Sequence, residues 1–278
     1  DDGSSDNTDE VVGEYVNNDK RFKYYHRPDE HLPGGNGARN YGFKMSQGEY
    51  IQWFDSDDLM VAEKLELKVR AMLENDVDFV ICSMDFFIDG KLKPAQTFEI
   101  KTNLFKDYVL CDIKIYTPSI LFARNILKHL FNEKLLRGQE TEYLSNFFYS
   151  NMNANYKILN ATLYHYRQHN RSKTHENKTY KHSFKKSQAL ITIVNFERAA
   201  TLRDCNLMNY LYRDLIKKYF LAIKHNDSEL KRLIATNILN NKYYADFLDF
   251  RIHLLLWVTN LFNLNSYKLR SLLLKKSI

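Results

Sequence analysis

The sequence is poor in the residues that would indicate a cross-linked or disordered protein. Its three cysteines, Cys82, Cys111 and Cys205, are scattered without metal-ligand spacing. This spacing argues against a disulfide framework and fits a reducing cytosol. Only four of the 278 residues are prolines, and no segment has low complexity. The chain can therefore bury a core, either as one large domain or as one domain with a helical appendage.

Long hydrophobic runs are also absent. The uncharged stretch over residues 252–267 is 16 residues long and includes histidine, threonine, serine and asparagine. A bilayer span needs about 20 mainly apolar residues, so this stretch is too short and too polar to cross a membrane. Its apolar residues recur at helical spacing among basic ones. Two interpretations stay open: a helix packed on the rest of the protein, or a peripheral membrane contact.

Charge is divided unevenly along the chain. Residues 176–278 contain 18 Lys plus Arg against 8 Asp plus Glu, whereas residues 1–175 contain 22 against 26. Nucleic acid is not expected as a partner, because no base-stacking or DNA-reading motif accompanies the basic residues. Anionic lipids attract Lys and Arg beside an apolar helix face, so the basic C-terminal helices predict a peripheral membrane contact.

The first 175 residues alternate short apolar runs with amphipathic segments, which is the pattern of an α/β domain. A hairpin over residues 86–92 should turn at Asp89-Gly90. From about residue 178 the periodicity becomes helical without strand signals, so we place a domain boundary near residue 175. The other predicted elements are helices over 9–16, 37–46 and 61–75, and strands over 21–26, 49–54, 77–83 and 115–123.

Three acids, Asp55, Asp57 and Asp58, crowd within four positions at the end of the predicted strand 49–54. Like charges so close repel one another unless a cation or hydrogen-bond donors hold them ionised, so the cluster suggests a divalent metal site. Residues i and i+2 of an extended segment share a face, so Asp55 and Asp57 can serve one ligand together. The alternative is an Asp-rich turn that caps the following helix, and Asp58 can steady that turn or helix.

Two further motifs place these acids in a context. The turn Asp1-Asp2-Gly3-Ser4-Ser5-Asp6-Asn7-Thr8 comes first, and the helix sequence Ala38-Arg39-Asn40 follows. With Asp55-Ser56-Asp57-Asp58, in this order and at these separations, they resemble the family 2 glycosyltransferases of the GT-A fold. The resemblance covers roughly residues 1–175. Family members normally have a strand, a turn and a helix before the Asp-Asp-Gly-Ser motif, so we expect the natural gene product to be longer at this end.

The resemblance implies a fold and a ligand. The fold is a Rossmann-like mixed sheet flanked by helices, with an all-helical C-terminal extension over residues 176–278. The ligand is a nucleotide-diphospho-sugar, foremost a UDP-sugar, bound together with Mn²⁺ or Mg²⁺.

The resemblance also implies roles for single residues of these motifs. Asp57 is expected to contact the metal directly, and Asp55 to contact the ribose or reach the metal through water. Asp2 matches the acid that hydrogen-bonds the nucleotide base, and Asp1 is a weaker candidate beside it. Arg39 matches the helix residue that approaches the base or ribose, and its alternative role is an ion pair that ties its helix to Asp2.

A second acidic motif, Gly138-Gln139-Glu140-Thr141-Glu142, resembles the Gly-Glu-Asp motif of the family at a helix N-terminus. Its middle acid is normally the catalytic base of inverting members, which implies this role for Glu140. Glutamate can take the same proton, although its longer arm would shift the acceptor by roughly one methylene. The helix N-terminus favours the ionised form. Glu142 is the reserve candidate, and solvent-facing helix acids are the alternative.

Residues 164–174 combine cations, histidines and hydroxyls after an apparent strand. They resemble the Tyr-Arg-x-His-x-x-Ser loop of many family members. Arg167 and His169 could screen the diphosphate as this loop closes, since cations placed where charge develops stabilise a transition state. A solvated basic surface loop is the alternative.

The resemblance implies a metal-dependent, inverting glycosyltransferase. Its acceptor would be a saccharide or a lipid-linked saccharide in bacterial surface-polysaccharide synthesis, at the cytoplasmic face of the membrane. One alternative is a non-catalytic protein that binds a sugar nucleotide as a scaffold. Another is a nucleotidyltransferase, which the sequence disfavours because it has no phosphate-gripping glycine-rich loop with Lys or Arg.

Overall fold

The computed structural model describes residues 1–94, 99–168, 179–247, 255–259, 261 and 267–274. The chain forms two compact units. The first comprises Asp1–Phe98, Ile115–Leu135 and Gln139–His169, and the second comprises Glu99–Lys114, Leu136–Gly138 and Asn170–Ile278.

The first unit is built on one mixed β-sheet. Its strand order is β1-β5-β3-β6-β2, and β4 also pairs with β3. Strands β3 and β6 run parallel, whereas the other described pairs are antiparallel. The strands are β1 (Tyr50–Ile51), β2 (Leu59–Met60), β3 (Phe79–Ile88), β4 (Lys91–Pro94), β5 (Ile120–Ala123) and β6 (Tyr156–Gln168).

Strand β3 forms the centre of the first unit. Its residues Phe79, Val80, Ile81 and Cys82 are all buried. A run of consecutive buried residues, rather than an alternating one, is expected where both faces of a sheet are covered. One cluster on this strand joins Val80 to Ala71, Met72 and Leu121, and a second joins Cys82 to Met84, Leu163 and Tyr164.

Helices cover the sheet in the first unit and form most of the second. In the first unit, α1–α3 lie close to the helices predicted from the sequence. In chain order the helices are α1 (Thr8–Asn18), α2 (Gly35–Met45), α3 (Lys64–Asn75), α4 (Leu104–Val109), α5 (Gln139–Ser150), α6 (His182–Thr201), α7 (Cys205–Lys224), α8 (Ser228–Asn240), α9 (Lys242–Phe247) and α10 (Tyr267–Leu274). Residues 255–259 are helical too.

The hairpin predicted over residues 86–92 is confirmed, since β3 and β4 pair across Asp89-Gly90. Asp89 has φ 50° and Gly90 has φ 75°. Positive φ at both central positions is the signature of a type I′ turn, whose twist matches that of the flanking strands.

Three predicted elements have different bounds in the structure. The strand predicted over 115–123 is shorter, because Thr117–Ser119 forms a 3₁₀ turn and β5 begins only at Ile120. Pro118 lies in that turn, and proline has no N–H to donate to a strand ladder. The strand predicted over 49–54 pairs only at Tyr50–Ile51. The helix predicted from 61 begins at Lys64, because the N–H of Val61 donates to Leu163 O at 3.2 Å and extends the β2–β6 pairing.

The strand predicted over 21–26 is wrong as regular secondary structure. This segment makes two hydrogen bonds in a parallel pattern, from the Asp1 amino group to Tyr25 O and from Arg27 N to Asp1 O. One residue of pairing is too short for a strand. The loop predicted over 164–174 is also partly wrong, because β6 continues to Gln168. His169 lies outside the described residues.

All the regular secondary structure described after residue 178 is helical. Helices α7 and α8 each begin with a capping aspartate: Asp204 accepts from Leu207 N at 3.0 Å, and Asp227 accepts from Leu230 N at 2.9 Å. Such caps satisfy N–H groups that the helix itself leaves unpaired. A buried row on α7, including Leu211, Leu215 and Phe220, supplies much of the core. None of the described helices has the length and apolarity needed to span a membrane.

Candidate active site

The acid loop over residues 55–58 follows a tightly packed aromatic residue. Trp53 is buried, and its ring lies 5.3–5.4 Å from those of Phe122, Phe131 and Tyr143. Edge-to-face contacts of this kind hold a ring in one orientation. The loop therefore starts from a fixed point, and Asp55 is only two residues further along the chain.

Arg39 reaches the acid loop from helix α2. Its Nη2 donates to Asp55 Oδ1, and both side chains are partly buried. The guanidinium carbon lies 5.4 Å from the centre of the Phe131 ring, within the range of a cation–π contact. The sequence offered Asp2 as an alternative partner for Arg39. In the structure Arg39 pairs with Asp55, and Asp2 pairs with Arg27.

Glu140 lies in the first turn of α5 and is held by Thr117. The carboxylate oxygen Oε1 accepts from the Thr117 backbone N–H and, at 2.7 Å, from Thr117 Oγ1. Burial raises the pKa of Glu140, while these two hydrogen bonds oppose the rise. A carboxylate with a raised pKa and fixed donors has the properties of a general base.

Glu140 and the acid loop share one site. The negative charge of Asp55 adds to the rise in the pKa of Glu140, and the positive charge of Arg39 counteracts it. Charges act on a pKa in this way when they lie near the titrating group. Residues from α2, the acid loop and α5 thus converge, although Arg39 and Glu140 are 101 positions apart in sequence.

Asp57 and Asp58 have different surroundings within the loop. Asp57 is exposed, whereas Asp58 is buried and its Oδ1 accepts from the backbone N–H of Arg167 at 3.0 Å. Burial raises the pKa of Asp58 to about 6, and the charges of Asp57 and Asp55 add to the rise. The Oδ2 atom of Asp58 is buried without a hydrogen-bond partner. Asp58 therefore ties the acid loop to β6 and is a poor site for an unpaired charge.

The helix-capping interpretation of these acids is wrong. The N-cap residue of α3 is Glu63, and no side chain caps the helix there. Five residues separate Asp58 from the first residue of the helix, and the first two of them form β2.

The N-terminal acids are held by local contacts. Asp1 accepts from the N–H groups of Gly3 and Ser4 at 2.7 and 2.8 Å, which makes it the organiser of its own turn. Asp2 pairs with Arg27 Nε at 2.5 Å, and Arg27 also donates to the carbonyl of His31. Arg27 was not predicted from the sequence, and no motif marks it.

A second group that sequence reasoning missed is centred on Asn40. Its side chain donates to Phe131 O at 2.9 Å and accepts from Phe131 N at 2.9 Å. It also donates to Glu133, which accepts from His31 and from the N–H of Leu32. The one available signal was the position of Asn40 directly after Arg39 in the Ala-Arg-Asn motif. Asn40 thus fixes the helix that presents Arg39.

The acidic residues of the site fit a cation that a phosphate-bearing ligand helps to bind. No group of three or more His, Cys, Asp or Glu in the described residues has the arrangement of a metal site. Mg²⁺ is usually bound by one or two carboxylates plus substrate phosphates rather than by a complete protein cage. Asp57 and Asp55 can supply that smaller number of ligands.

Comparisons with known proteins find similarity to glycosyltransferases over part of the chain. The model of glycosyl transferase family 2 matches residues 1–131. An uncharacterized glycosyltransferase of Rickettsia conorii is 42% identical over 145 residues, or 50% of this chain and 23% of the relative. The Escherichia coli protein WfgD, a UDP-Glc:alpha-D-GlcNAc-diphosphoundecaprenol beta-1,3-glucosyltransferase, is 41% identical over 80 residues, or 29% of this chain and 30% of that one.

The chain spans about half, or less, of the curated relatives it matches. The Bacillus subtilis protein EpsH, which is named a putative glycosyltransferase, is 29% identical over 60% of this chain and 51% of its own length. Among solved structures, S. aureus TarS 1–349 in complex with UDP-GlcNAc superimposes with a TM-score of 0.56 and 17% identity, covering 95% of this chain and 81% of that one. Residues 1–131, just under half of the chain, are thus similar to glycosyl transferase family 2, and the likeness to TarS shows a GT-A fold.

Proposed function

We propose that the protein is an inverting, metal-dependent glycosyltransferase that moves a sugar from a nucleotide-diphospho-sugar, foremost a UDP-sugar, to a hydroxyl acceptor. The observation that carries the proposal is the convergence of Glu140 with the Arg39–Asp55 pair. A base and a cation-binding loop within one site are what a single displacement at a sugar carbon requires. The family match and the UDP-GlcNAc complex of TarS support the donor class.

The acid loop would bind the diphosphate end of the donor through a divalent cation. Asp57 would contact the cation directly, and Asp55 would contact the ribose or reach the cation through water. When bound, Mn²⁺ or Mg²⁺ supplies positive charge to the departing diphosphate. Asp2 and Asp1 are proposed at the nucleotide base, with Arg39 near the base or ribose. Arg167 and His169 are proposed to screen the phosphates.

Glu140 would act on the acceptor. Its carboxylate takes the proton of the acceptor hydroxyl as that oxygen bonds to the sugar carbon. The bond from this carbon to the diphosphate oxygen breaks at the same time, and the nucleotide diphosphate leaves with the electron pair. Attack from the face opposite the leaving group inverts the configuration of the sugar carbon. Thr117 supports this role, because its two hydrogen bonds favour the ionised carboxylate.

The acceptor is proposed to be a saccharide or lipid-linked saccharide used for a bacterial surface polysaccharide at the cytoplasmic face of the membrane. The name of WfgD, which acts on a diphosphoundecaprenol-linked sugar, supports this class. The excess of Lys and Arg in residues 176–278 supports a peripheral contact with anionic lipid.

Nucleotide release from a panel of UDP-, GDP- and dTDP-sugars, with and without Mn²⁺ or Mg²⁺, tests the proposal. Metal-dependent release with an acceptor is expected for the wild type, with losses of at least about 100-fold in Asp57→Ala and Glu140→Gln. Glu142→Gln is the matched control on the same helix and should retain activity. If Glu142→Gln loses activity and Glu140→Gln keeps it, the assignment of the base is wrong. Donor binding without turnover across the panel would instead identify a sugar-nucleotide scaffold.

A further inference from the structure

Two lysines on one face of α3 are completely buried. Lys64 and Lys68 lie four positions apart and are both 0% exposed. Burial lowers the pKa of Lys64 to about 7 and that of Lys68 to about 8, because an apolar environment disfavours the charged form. Lysine is almost never fully buried without partners, so the groups that receive these two side chains indicate what they do.

Both lysines donate to the carbonyls of one turn. Lys64 Nζ lies 2.8 Å from Pro118 O, and Lys68 Nζ lies 2.7 Å from Ser119 O. Gln52 joins them, since its Nε2 donates to Pro118 O at 3.2 Å and its Oε1 accepts from Lys68 at 3.0 Å. The 3₁₀ turn Thr117–Ser119 is therefore held from the interior of the first unit by three long side chains.

The same turn holds Glu140. Thr117 supplies both of the hydrogen bonds that Glu140 Oε1 accepts. The lysines thus contact the two residues that directly follow Thr117, and Thr117 orients the Glu140 carboxylate. A turn of three residues fixed at two of its carbonyls has little freedom to rotate the remaining residue.

Lys64 also braces the acid loop. Its Nζ lies 4.2 Å from the centre of the Phe54 ring and 4.5 Å from that of Tyr164, both within the range of a cation–π contact. Phe54 is the residue directly before Asp55. Lys64 therefore contacts both the turn that holds Glu140 and the residue that precedes the acid loop.

We propose that Lys64 and Lys68 are positioning residues, which fix the turn Thr117–Ser119 so that Thr117 holds Glu140 in its working orientation. This inference rests on the proposed function, in which Glu140 takes the proton of the acceptor. The lysines touch no reacting atom in this scheme and act through the turn.

Lys68→Met and Thr117→Val, alone and combined, test the inference by a double-mutant cycle. Methionine keeps an unbranched stem but removes the donor. Each single variant is expected to lower kcat for transfer by about 10- to 100-fold, since small misplacements of a reacting group have effects of this size. The dissociation constant of the UDP-sugar should stay within about twofold. Both changes act on Glu140 through the same turn, so their effects should not multiply. The kcat of the double variant should be at most about threefold lower than that of the slower single variant.

Two controls accompany the cycle. Lys44→Met, at an exposed lysine on α2, should leave kcat unchanged. Lys68→Gln keeps a hydrogen-bond donor and should recover part of the lost kcat, and it also serves if Lys68→Met does not fold. Multiplication of the two single losses in the double variant, or a parallel loss of donor affinity, would overturn the proposal.

A measurement without substrate separates this inference from the proposed function. The carboxyl carbon of Glu140 can be titrated by NMR in protein labelled at glutamate, with Glu140→Gln used for assignment. Thr117 and Arg39 lower the pKa of Glu140, whereas burial and Asp55 raise it. Loosening the turn in Lys68→Met should therefore raise this pKa. An unchanged value would contradict the positioning role, whereas a raised value in a protein that turns over no donor would contradict only the proposed function.

Discussion

Arg39 interacts with both the acid loop and Glu140. It pairs with Asp55 in the acid loop, and its charge lowers the pKa of Glu140. The pair is partly buried, so its charges are screened less than those of a surface ion pair. Arg39 thus sets the electrostatic balance between the acid loop and the Glu140 carboxylate.

Arg39→Met should lower kcat/KM for transfer by about 10- to 100-fold, which corresponds to the loss of one charged hydrogen bond in a partly buried site. It should also move the acidic limb of the pH–rate profile to higher pH, because the pKa of Glu140 rises when the positive charge is removed. Steady-state kinetics between pH 5 and 9 measure both effects. Arg70→Met is the control, since Arg70 pairs with Glu66 on an exposed face. An unmoved acidic limb would show that Arg39 does not act on Glu140.

Asn40 stabilises the same helix by satisfying a backbone pair from a distant segment. Asn40→Ala should lower the free energy of unfolding by about 1–3 kcal/mol, because Phe131 N–H and C=O would lose their partners in a buried setting. Urea denaturation measures the change. Asn75→Ala, at an exposed position, should alter stability by less than about 0.5 kcal/mol. Equal effects at the two positions would refute the special role of Asn40.

At the scale of elements, helix α2 is placed by a close approach at one glycine. A Cβ on Gly37 would lie 2.2 Å from the carbonyl oxygen of Leu32, whereas a Cβ on Gly42 would meet no atom within 4 Å. Backbone atoms cannot move aside as a flexible side chain can. The chain entering α2 therefore depends on the absence of a side chain at position 37.

Gly37→Ala should destabilise the fold by about 1–3 kcal/mol through overpacking. Gly42→Ala, on the same helix, should stabilise it by up to about 1 kcal/mol, because alanine is the better helix former. Thermal or urea unfolding of the two variants gives the comparison. Stabilisation by both substitutions would mean that Leu32 and α2 are not in the contact described.

The elements with strong local signals could be predicted from the sequence. Helices α1 and α2 and the Asp89-Gly90 hairpin follow from periodicity and turn chemistry. The strand predicted over 115–123 was too long because apolar content outweighed the effect of Pro118 on the ladder. The short strand β2 was missed, since two residues carry no periodicity.

The positions of the candidate site residues could be predicted in part, and their roles stay predictions. Motif positions gave Asp55, Arg39 and Glu140, which the structure brings together. The partners of these residues could not be predicted, because Thr117 and Lys68 act through contacts between segments far apart in sequence. A lysine in an amphipathic helix is expected to face solvent, so its sequence position alone gave no sign of burial.

At the scale of the whole molecule, the buried lysines make stability depend on pH. The pKa of Lys64 is about 7 and that of Lys68 about 8 in the folded protein, against an ordinary value of 10.5. Above these values the unfolded chain binds more protons than the folded one, so stability increases as the pH rises toward 10.5. As the pH falls toward 7, this contribution is lost.

The free energy of unfolding should therefore rise between pH 7 and 9, by up to about 1.4 kcal/mol per pH unit for each lysine. Urea denaturation at several pH values measures the slope. In Lys68→Met the change in the free energy of unfolding per pH unit should be smaller by the contribution of Lys68. A wild-type slope that is zero or negative, or one that Lys68→Met leaves unchanged, would contradict the assignment.

Strand β4 has a consequence for how the protein behaves in concentrated solution. It pairs with β3, and all four of its residues are exposed, including Lys91, Lys93 and Pro94. Repulsion between lysines and the missing N–H of proline both discourage another chain from extending a sheet at this position. The first unit should therefore resist aggregation by strand addition along β4.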